Sequence, residues 1–248
     1  MPAKAQAILL AAGRGERMRP LTDTCPKPLL VVRGKPLMQW PMEALGRGGF
    51  HRLVVNTAWL GEQIEQVIGN GTSLVPPMAL TYSHEGRDFG GALETAGGIV
   101  RALPWLGEVF WVLAGDVFAP GFPFKQTQMD AFKTSGKLAH LWLVPNPAHN
   151  PLGDFGLDAG GLALNLARDS PVPKFTYSTI GLYRSALFSP PYCTVPPGNA
   201  SGLKAALAPI LRAAMDARQV SAEMYHGAWT DVGTPARLQA LNQGENVS

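Results

Sequence analysis

A buried apolar run that ends in a glycine turn carrying cations most constrains the fold of this chain. Residues 7–10 read Ala, Ile, Leu and Leu, which is typical of a buried strand. Gly13 and Gly15 follow, and because glycine has no Cβ, the backbone N–H groups of this turn can approach a ligand closely. Four residues of the same stretch supply positive charge for phosphate oxygens: Arg14, Arg17, Arg19 and Lys27. The pattern predicts an anion-binding loop after the first strand.

This turn matches neither of the two common phosphate-binding motifs. A Walker A loop needs Gly-Lys-Ser/Thr four residues after its first glycine, and the turn does not contain that string. A dinucleotide fingerprint needs glycine or alanine where Met18 stands. Taken alone, Gly13 and Gly15 also fit an ordinary strand-to-helix turn with solvated arginines. The functional interpretation therefore depends on the rest of the sequence.

Composition excludes several classes of protein. The 248 residues are 46% hydrophobic and 16% charged, which supplies a sizeable core and excludes a disordered chain. The formal net charge is +3 without blocks of like charge, so the cations suit a small anionic substrate better than a nucleic acid. No apolar stretch approaches the roughly 20 residues of a membrane span, and no signal peptide is recognisable. We expect a cytoplasmic protein without nucleic-acid or membrane partners.

Strand-like and helix-like segments alternate, which predicts an α/β fold with a mostly parallel sheet and helices on both faces. Apolar runs predict strands at residues 5–11, 52–56, 79–83, 109–113, 138–144 and 177–183, with a hairpin of 155–157 and 162–164. Helical spacing of apolar residues predicts helices at residues 37–47, 59–68, 93–103 and 203–217. Because no repeat or low-complexity tract is apparent, we expect residues 1–248 to form a single domain.

Two aspartates are candidates for holding a metal ion. Asp116 follows the apolar run at residues 109–113, and ligands of open α/β sheets bind at the carboxyl ends of the strands. Asp231 lies between a short apolar stretch and a helix that begins near Pro235. Mg²⁺ prefers oxygen ligands from one or two carboxylates. Taken alone, each aspartate is better explained as the cap of a turn or a helix.

Together these features resemble the signature of the sugar-1-phosphate nucleotidyltransferases, also called NDP-sugar pyrophosphorylases. Three motifs occur in the order of that family: residues 10–22 with Pro-Lys-Pro-Leu at 26–29, Gly-Asp at 115–116 and Asp-Val-Gly-Thr at 231–234. Three further stretches resemble its short bacterial branch, which includes the N-acetylmuramate α-1-phosphate uridylyltransferases: residues 56–61, 93–99 and 220–227. The resemblance covers nearly the whole chain. It implies a Rossmann-like, mostly parallel mixed sheet flanked by helices, the nucleotide-diphospho-sugar transferase fold, without the C-terminal β-helix of longer relatives.

The resemblance also implies a reaction. A nucleoside triphosphate and a sugar 1-phosphate are joined with the help of Mg²⁺, and pyrophosphate is released. The resemblance to the short branch implies UTP and N-acetylmuramate 1-phosphate as the expected substrates, in an activity of cell-wall recycling. Because the attacking phosphate is already anionic, catalysis needs in-line positioning and charge neutralisation rather than a general base. The first half of the chain is expected to hold the nucleotide and the second half the sugar, in a monomer or small homo-oligomer.

Individual roles follow from the same resemblance. The phosphates are expected to meet three catalytic cations: Arg14, Arg17 and Lys27. The ligands of Mg²⁺ are expected to be Asp116 and Asp231. Nucleotide binding is expected from Ala11, Ala12, Gly13, Gly15, Glu85 and Gly97. Sugar binding is expected from Asn150, Asp154, Thr179 and Glu223.

Two departures from the branch leave its substrates open. Residues 83–92 are longer than the usual Glu-Gly-Glu-Pro connection, which lines the base, and Thr179 stands where the branch usually has glycine near the sugar. A mannose-1-phosphate guanylyltransferase is therefore an alternative enzyme, and a silent sensor of nucleotides or sugar phosphates is the alternative outside enzymes. A nucleotide-sugar glycosyltransferase usually carries Asp-x-Asp after a strand, whereas this chain has the single Asp116.

Overall fold

A nine-stranded mixed sheet is the framework of the computed structural model, which describes residues 3–244. The strands are β1 (Ala5–Ala11), β2 (Val31–Val32), β3 (Lys35–Pro36), β4 (Arg52–Thr57), β5 (Ala79–His84), β6 (Leu106–Ala114), β7 (Val117–Phe118), β8 (Ala139–Val144), β9 (Phe155–Leu157), β10 (Ala163–Leu164), β11 (Lys174–Arg184), β12 (Val220–Met224) and β13 (Thr230–Asp231). The helices are α1 (Leu21–Thr24), α2 (Gln39–Arg47), α3 (Gly61–Ile68), α4 (Glu85–Phe89), α5 (Glu94–Ala102), α6 (Gln126–Thr134), α7 (Leu207–Asp216) and α8 (Pro235–Gln243). Between residues 3 and 244, none of the helices has the length and apolar character needed to cross a membrane.

The strand order of the large sheet is β10-β9-β11-β6-β1-β4-β5, and β8 pairs with β11 and β12 beside this path. Strand β1 lies between β4 and β6 and is parallel to both, and β4 is parallel to β5. Strand β11 is antiparallel to β6, β8 and β9, so the second half of the chain adds antiparallel strands to a parallel core. The predicted α/β fold with a mixed sheet flanked by helices is confirmed.

Alternating side chains of the central strands enter two separate cores. On one face Ile8, Val54 and Phe110 are buried together with apolar residues of α5 and α7. On the other face Leu9 and Trp111 are buried together with apolar residues of α2, α3 and α6. Because successive strand residues point to opposite faces, this alternation places helices on both sides of the sheet.

In a third apolar cluster, residues of the C-terminal segment pack against residues near the beginning of the chain. Met18 and Leu37 are buried there against Phe118, Val232 and Leu241. Val232 lies between β13 and α8, and Met18 belongs to the turn after β1. This packing brings residues 231–234 beside the predicted anion-binding loop, although most of the chain separates them in sequence.

The last predicted helix begins four residues later than expected, because side-chain hydrogen bonds hold the preceding segment as a loop. The Asn199 side chain accepts from Leu203 N–H and donates to Leu203 O, both at 2.8 Å. The N–H groups of Ala96 and Gly97 donate to Ala205 O, so the backbone of this segment is bonded to α5. Helix α7 therefore begins at Leu207.

The structure also contains elements that the sequence pattern does not predict. Helix α4 lies inside the long connection at residues 83–92. Helix α6 buries only Met129 and Phe132, which is too few apolar residues for a clear helical period. Strand β12 is five residues long and pairs with β8 alone among the named strands.

Candidate active site

The predicted anion-binding loop lies at the carboxyl end of β1. Gly15 has a φ of +67°, in the left-handed region that favours glycine. A Cβ there would lie 3.2 Å from the Cβ of Lys27, so this glycine also lets the lysine pack against the loop. Among residues 3–244, no atom outside the local chain lies within 4 Å of the position of a Cβ on Gly13, which leaves that backbone open. Asn56, on β4, accepts a hydrogen bond from Ala11 N–H at 2.7 Å and ties the start of the loop to the neighbouring strand.

Lys27 and Asp116 form an ion pair at the centre of the site. Lys27 begins a 3-10 turn and is 8% exposed, and its Nζ lies 2.5 Å from Asp116 Oδ2. Pro26 and Pro28 flank the lysine and restrict its backbone, so less conformational freedom is lost when it meets a ligand. Asp116 follows β6 at the carboxyl edge of the sheet. A cation and a carboxylate are thus held together beside the open loop.

The backbone segments that carry Asp231 and Asp116 lie side by side. Strand β13, which contains Asp231, pairs with β7, which follows Asp116, and Val232 N–H donates to Asp116 O at 2.9 Å. The Asp231 carboxylate is ion-paired with Arg237, and it lies 2.8 Å from His149 Nε2. The pairing of two short strands therefore brings the two predicted metal ligands to one place.

The chemistry of this donor set fits a divalent cation that binds together with phosphates. Asp116 and Asp231 offer carboxylate oxygens, which Mg²⁺ prefers. Within the described residues, no group of three or more His, Cys, Asp and Glu side chains could hold a metal ion by itself. Mg²⁺ commonly keeps water and substrate phosphates as its remaining ligands, so two protein carboxylates are sufficient.

The two arginines predicted to bind phosphate have different surroundings. Arg14 donates to Thr22 O at 2.7 Å and to Asp23 Oδ1 at 2.6 Å, and its guanidinium lies 3.9 Å from the ring centroid of Trp59. The hydrogen bond from Arg14 lowers the pKa of Asp23. Arg17 is exposed, and no carboxylate of residues 3–244 lies within ion-pair distance of it. Arg17 is therefore available for an added anion, whereas Arg14 is held by the protein.

A cavity of about 680 Å³ surrounds the Lys27–Asp116 pair. The first half of the chain contributes one part of its lining, which includes Ala11, Ala12, Gly13, Gly15, Asn56, Ala92 and Thr95. The second half contributes another part, which includes Asp154, Phe155, Tyr177, Thr179, Leu211 and Arg212. A smaller pocket of about 210 Å³ is lined by Gly15, Glu16, Arg17, Met18, Lys27 and Gly233. Both halves of the chain therefore meet at one cavity that contains the paired cation and carboxylate.

Glu85 and Gly97 lie outside the lining of this cavity. Glu85 has no exposed surface, and its carboxylate accepts from Asn56 Nδ2 at 2.7 Å and from Leu93 N–H at 2.8 Å. Burial raises the pKa of the Glu85 carboxyl. The N–H of Gly97 donates to Ala205 O at 3.0 Å. The structure therefore gives both residues a positioning role, since they hold elements that carry lining residues, and their expected nucleotide contacts stay predictions.

Asn150 and Glu223 also lie outside the lining. The Asn150 amide donates to Thr176 Oγ1 at 3.1 Å and lies 3.3 Å from Asp154 Oδ1, so it orients a carboxylate that does line the cavity. Glu223 is on β12, where it accepts from the indole N–H of Trp142 and is 54% exposed. Asn150 therefore reaches the lining only through Asp154, and Glu223 lies on the exposed part of β12, while the expected sugar contacts of both stay predictions.

Thr179 combines a strained backbone with an unpartnered hydroxyl in the cavity lining. Its φ is +62°, which is an outlier for a β-branched residue. Its Oγ1 is buried and has no hydrogen-bond partner among the described residues. The register of β11 against β8 shifts between Tyr177 and Gly181, on either side of this position. Buried polar groups are rarely left unpaired, so this hydroxyl is unusual.

Asn56 and Arg212 line the cavity, and sequence analysis does not single them out as site residues. Asn56 had a local signal, since it ends a buried strand at the same sheet edge as the loop. Arg212 lies next to the buried Leu211 in an amphipathic helix, a place where a charged residue is usually a solvated one. Its position in the cavity lining emerges only from the tertiary structure.

Known proteins similar to this chain are nucleotidyltransferases. The family model described as nucleotidyl transferase matches residues 6–246. An N-acetylmuramate alpha-1-phosphate uridylyltransferase from Neisseria meningitidis is 45% identical in an alignment 249 residues long. The alignment covers 94% of this chain and 95% of that protein. A UTP–glucose-1-phosphate uridylyltransferase from Synechocystis is 37% identical over 119 residues, which cover 45% of this chain and 30% of that protein.

The fold occurs in a solved glucose-1-phosphate thymidylyltransferase from Bacillus anthracis, crystallised with sucrose. The two structures superpose with a TM-score of 0.76 at 19% sequence identity, over 98% of this chain and 95% of that one. This likeness concerns the fold alone, whereas the family model and the Neisseria relative extend over nearly the whole sequence. The chain therefore belongs to the sugar-1-phosphate nucleotidyltransferase family of enzymes.

Proposed function

We propose that this enzyme transfers the uridylyl group of UTP to N-acetylmuramate 1-phosphate and releases pyrophosphate. The observation that carries this choice of substrates is the 45% identity to the Neisseria N-acetylmuramate alpha-1-phosphate uridylyltransferase over 94% of the chain. The Synechocystis enzyme named for glucose 1-phosphate matches less than half of the chain, at 37% identity. We place the reaction in the cytoplasm and in the recycling of cell-wall sugars, because N-acetylmuramate is a sugar of the bacterial cell wall.

The proposed reaction exchanges one phosphate linkage for another. An oxygen of the sugar 1-phosphate attacks the α-phosphorus of UTP. The bond between that phosphorus and the bridging oxygen to the β-phosphate breaks, and pyrophosphate leaves with the electron pair. No side chain has to remove a proton, because the attacking phosphate is already anionic. The protein has to align the two phosphates and neutralise their charge.

The nucleotide is proposed to bind along the loop after β1. Ala11, Ala12 and Gly13 line the cavity there, and the open space beside Gly13 admits a close approach. Arg17 lines the smaller pocket beside Lys27, and we assign it to the leaving phosphates. Arg14 shapes the loop in this proposal, because its guanidinium is bonded to Asp23.

Lys27 is proposed to contact the reacting phosphates. Its Nζ is the buried cation of the cavity, and it lines both the large cavity and the smaller pocket with Arg17. A buried ammonium group beside developing negative charge acts more strongly than one in water, and its position is already set before the substrates bind.

Asp116 and Asp231 are proposed to hold Mg²⁺. When bound, the ion neutralises phosphate charge and helps to orient the reacting groups. Arg237 and His149 orient the Asp231 carboxylate, and Lys27 orients that of Asp116. The sugar is proposed to meet Asp154 and Thr179 in the part of the lining that the second half of the chain supplies.

The proposal is tested by measuring pyrophosphate release with Mg²⁺ for UTP, GTP, CTP and dTTP, each combined with the 1-phosphates of N-acetylmuramate, N-acetylglucosamine, glucose and mannose. We expect the highest kcat/KM for UTP with N-acetylmuramate 1-phosphate, and no turnover in Asp116→Asn. A preference for GTP with mannose 1-phosphate would replace the substrates and keep the reaction. Nucleotide binding without turnover in any combination would favour a sensor.

A further inference from the structure

Arg212 is a cation in the part of the cavity that we assign to the sugar, and no carboxylate of residues 3–244 neutralises it. It lies in the middle of α7 and lines the cavity beside Phe155 and Leu211. Among residues 3–244, Lys27 is the other cationic side chain of this lining, and Asp116 already neutralises it. For Arg212, no carboxylate of the described residues lies within ion-pair distance.

Neutral groups hold the Arg212 guanidinium in place. Nη1 donates to Asn165 Oδ1 at 2.7 Å, Nη2 lies 3.5 Å from Asp154 O, and the guanidinium carbon lies 5.1 Å from the ring centroid of Phe155. The Asn165 amide in turn donates to both carboxylate oxygens of Asp216, at 3.0 and 3.1 Å. The arginine is therefore oriented in advance while most of its donors stay available.

The nearest acidic residue of the lining is committed elsewhere. Asp154 Oδ2 accepts from Tyr177 N–H at 2.8 Å, and Asp154 Oδ1 lies 3.3 Å from the Asn150 amide. Two apolar side chains beside Arg212, those of Phe155 and Leu211, are both buried. A guanidinium beside an apolar wall interacts strongly with an added anion, because little water screens the pair.

We propose that Arg212 binds a carboxylate carried by the sugar, namely that of the lactyl ether of N-acetylmuramate, and so makes the enzyme selective for carboxylated sugars. This inference rests on the proposed function. N-acetylmuramate differs from N-acetylglucosamine by this lactyl group alone, so a fixed cation is the feature that distinguishes the two sugars by charge. The phosphate of the sugar has to reach the α-phosphorus of UTP, which we place at Lys27. We therefore assign this phosphate to Lys27 and not to Arg212.

The test compares the two sugar 1-phosphates in wild type and in Arg212→Gln at saturating UTP. A charge-assisted hydrogen bond contributes enough for a loss of about ten- to a hundredfold in kcat/KM, which we expect for N-acetylmuramate 1-phosphate and mainly through KM. For N-acetylglucosamine 1-phosphate we expect kcat/KM to stay within about twofold, because it has no carboxylate to lose. The ratio of the two values therefore falls by the same ten- to hundredfold factor.

The matched control is Arg168→Gln, which removes an exposed arginine from the loop that follows Asn165, outside the cavity lining. It should leave both kcat/KM values unchanged. Arg212→Lys keeps the charge without the planar fork and should retain part of the selectivity, which protects the test if the glutamine variant folds poorly. Melting temperatures of all variants show whether they are folded.

Two results would overturn the inference while leaving the proposed function intact. Equal losses with both sugar phosphates would mean that Arg212 contacts a group the two share, and no loss with either would remove it from the sugar site. By contrast, a wild type that uses another sugar and ignores N-acetylmuramate 1-phosphate would overturn the proposed function and this inference together.

Discussion

At the scale of single residues, the Lys27–Asp116 pair sets the character of the site. A lysine that is 8% exposed is unusual unless its charge is compensated, and Asp116 Oδ2 at 2.5 Å provides that compensation. Sequence analysis assigned the two residues to separate tasks, phosphate contact and metal ligation. Because the two side chains are in contact, each orients the other, and the two proposed tasks would depend on each other.

Replacing Lys27 by alanine should slow the chemical step. We expect a loss of about 2–4 kcal/mol of transition-state stabilisation, because the variant lacks the cation beside the developing charge. The loss should appear in single-turnover rates of pyrophosphate release at saturating substrates. Lys133→Ala, at an exposed position of α6, is the control that removes the same charge at a distance. A Lys27→Ala rate close to that of the control would contradict the assignment.

Thr179 carries local strain that a glycine would relieve. We expect Thr179→Gly to raise the free energy of unfolding by about 1 kcal/mol, because a β-branched residue at a φ of +62° is disfavoured. Thr179→Ala is the matched comparison, since it removes the hydroxyl but keeps the Cβ that makes this backbone unfavourable. Urea unfolding should rank the glycine variant above the alanine variant, and the reverse order would contradict the strain argument.

At the scale of elements, one buried carboxylate holds the connection between β5 and α5 in place through hydrogen bonds. Glu85 begins α4, and its two oxygens accept from Asn56 on β4 and from Leu93 at the start of α5. The Asn56 side chain also accepts from Ala11 N–H at the end of β1. The buried Glu85–Asn56 pair therefore joins three elements that reach the cavity.

The pKa of Glu85 gives this network a predictable pH dependence. Burial raises the pKa of the carboxyl in the folded protein, so the folded state binds this proton more tightly than the unfolded state. The resulting stabilisation is fully present below the unfolded pKa of about 4.3 and is lost as the pH rises through the higher folded pKa. Glu85→Gln cannot ionise and lacks this loss. Its free energy of unfolding relative to wild type should therefore rise with pH across that window. Urea unfolding in a pH series measures this difference. Parallel curves of unfolding free energy against pH for the two proteins would contradict the prediction.

At the scale of the whole molecule, the site depends on parts that are distant in sequence. Lys27 and Asp116 come from the first half of the chain, and Asp231 is added when the cluster around Met18 and Val232 brings the C-terminal segment back. Binding at such a site should stabilise the entire fold, because the ligand contacts segments from both ends of the chain.

Thermal unfolding can measure this coupling. UTP with Mg²⁺ at about 100 times its Kd should add about 2.7 kcal/mol of stability, which corresponds to several degrees in Tm for a chain of this length. In Asp231→Asn we expect the Mg²⁺-dependent part of that shift to disappear together with turnover. Asp130→Asn, on the exposed side of α6, should keep both. An unchanged Mg²⁺-dependent shift in Asp231→Asn would argue against this carboxylate as a metal ligand.

The amino-acid sequence by itself determined the features that depend on local pattern. Apolar runs and helical spacing indicated the central strands and most of the helices, because these periods follow from backbone geometry. The loop after β1 was recognisable from its glycines and cations, and Asp116 from its place after an apolar strand. Such signals lie within a few residues of one another, so no knowledge of distant contacts is needed to find them.

The tertiary structure alone decided which polar groups meet. Glu85 and Gly97 lie outside the cavity lining. Their hydrogen bonds are made instead with Asn56, Leu93 and Ala205. Arg212, on the surface of an otherwise amphipathic helix, is placed in that lining instead. The physical reason is that hydrogen-bond satisfaction and charge compensation depend on neighbours brought together by packing, and those neighbours are far apart along the chain.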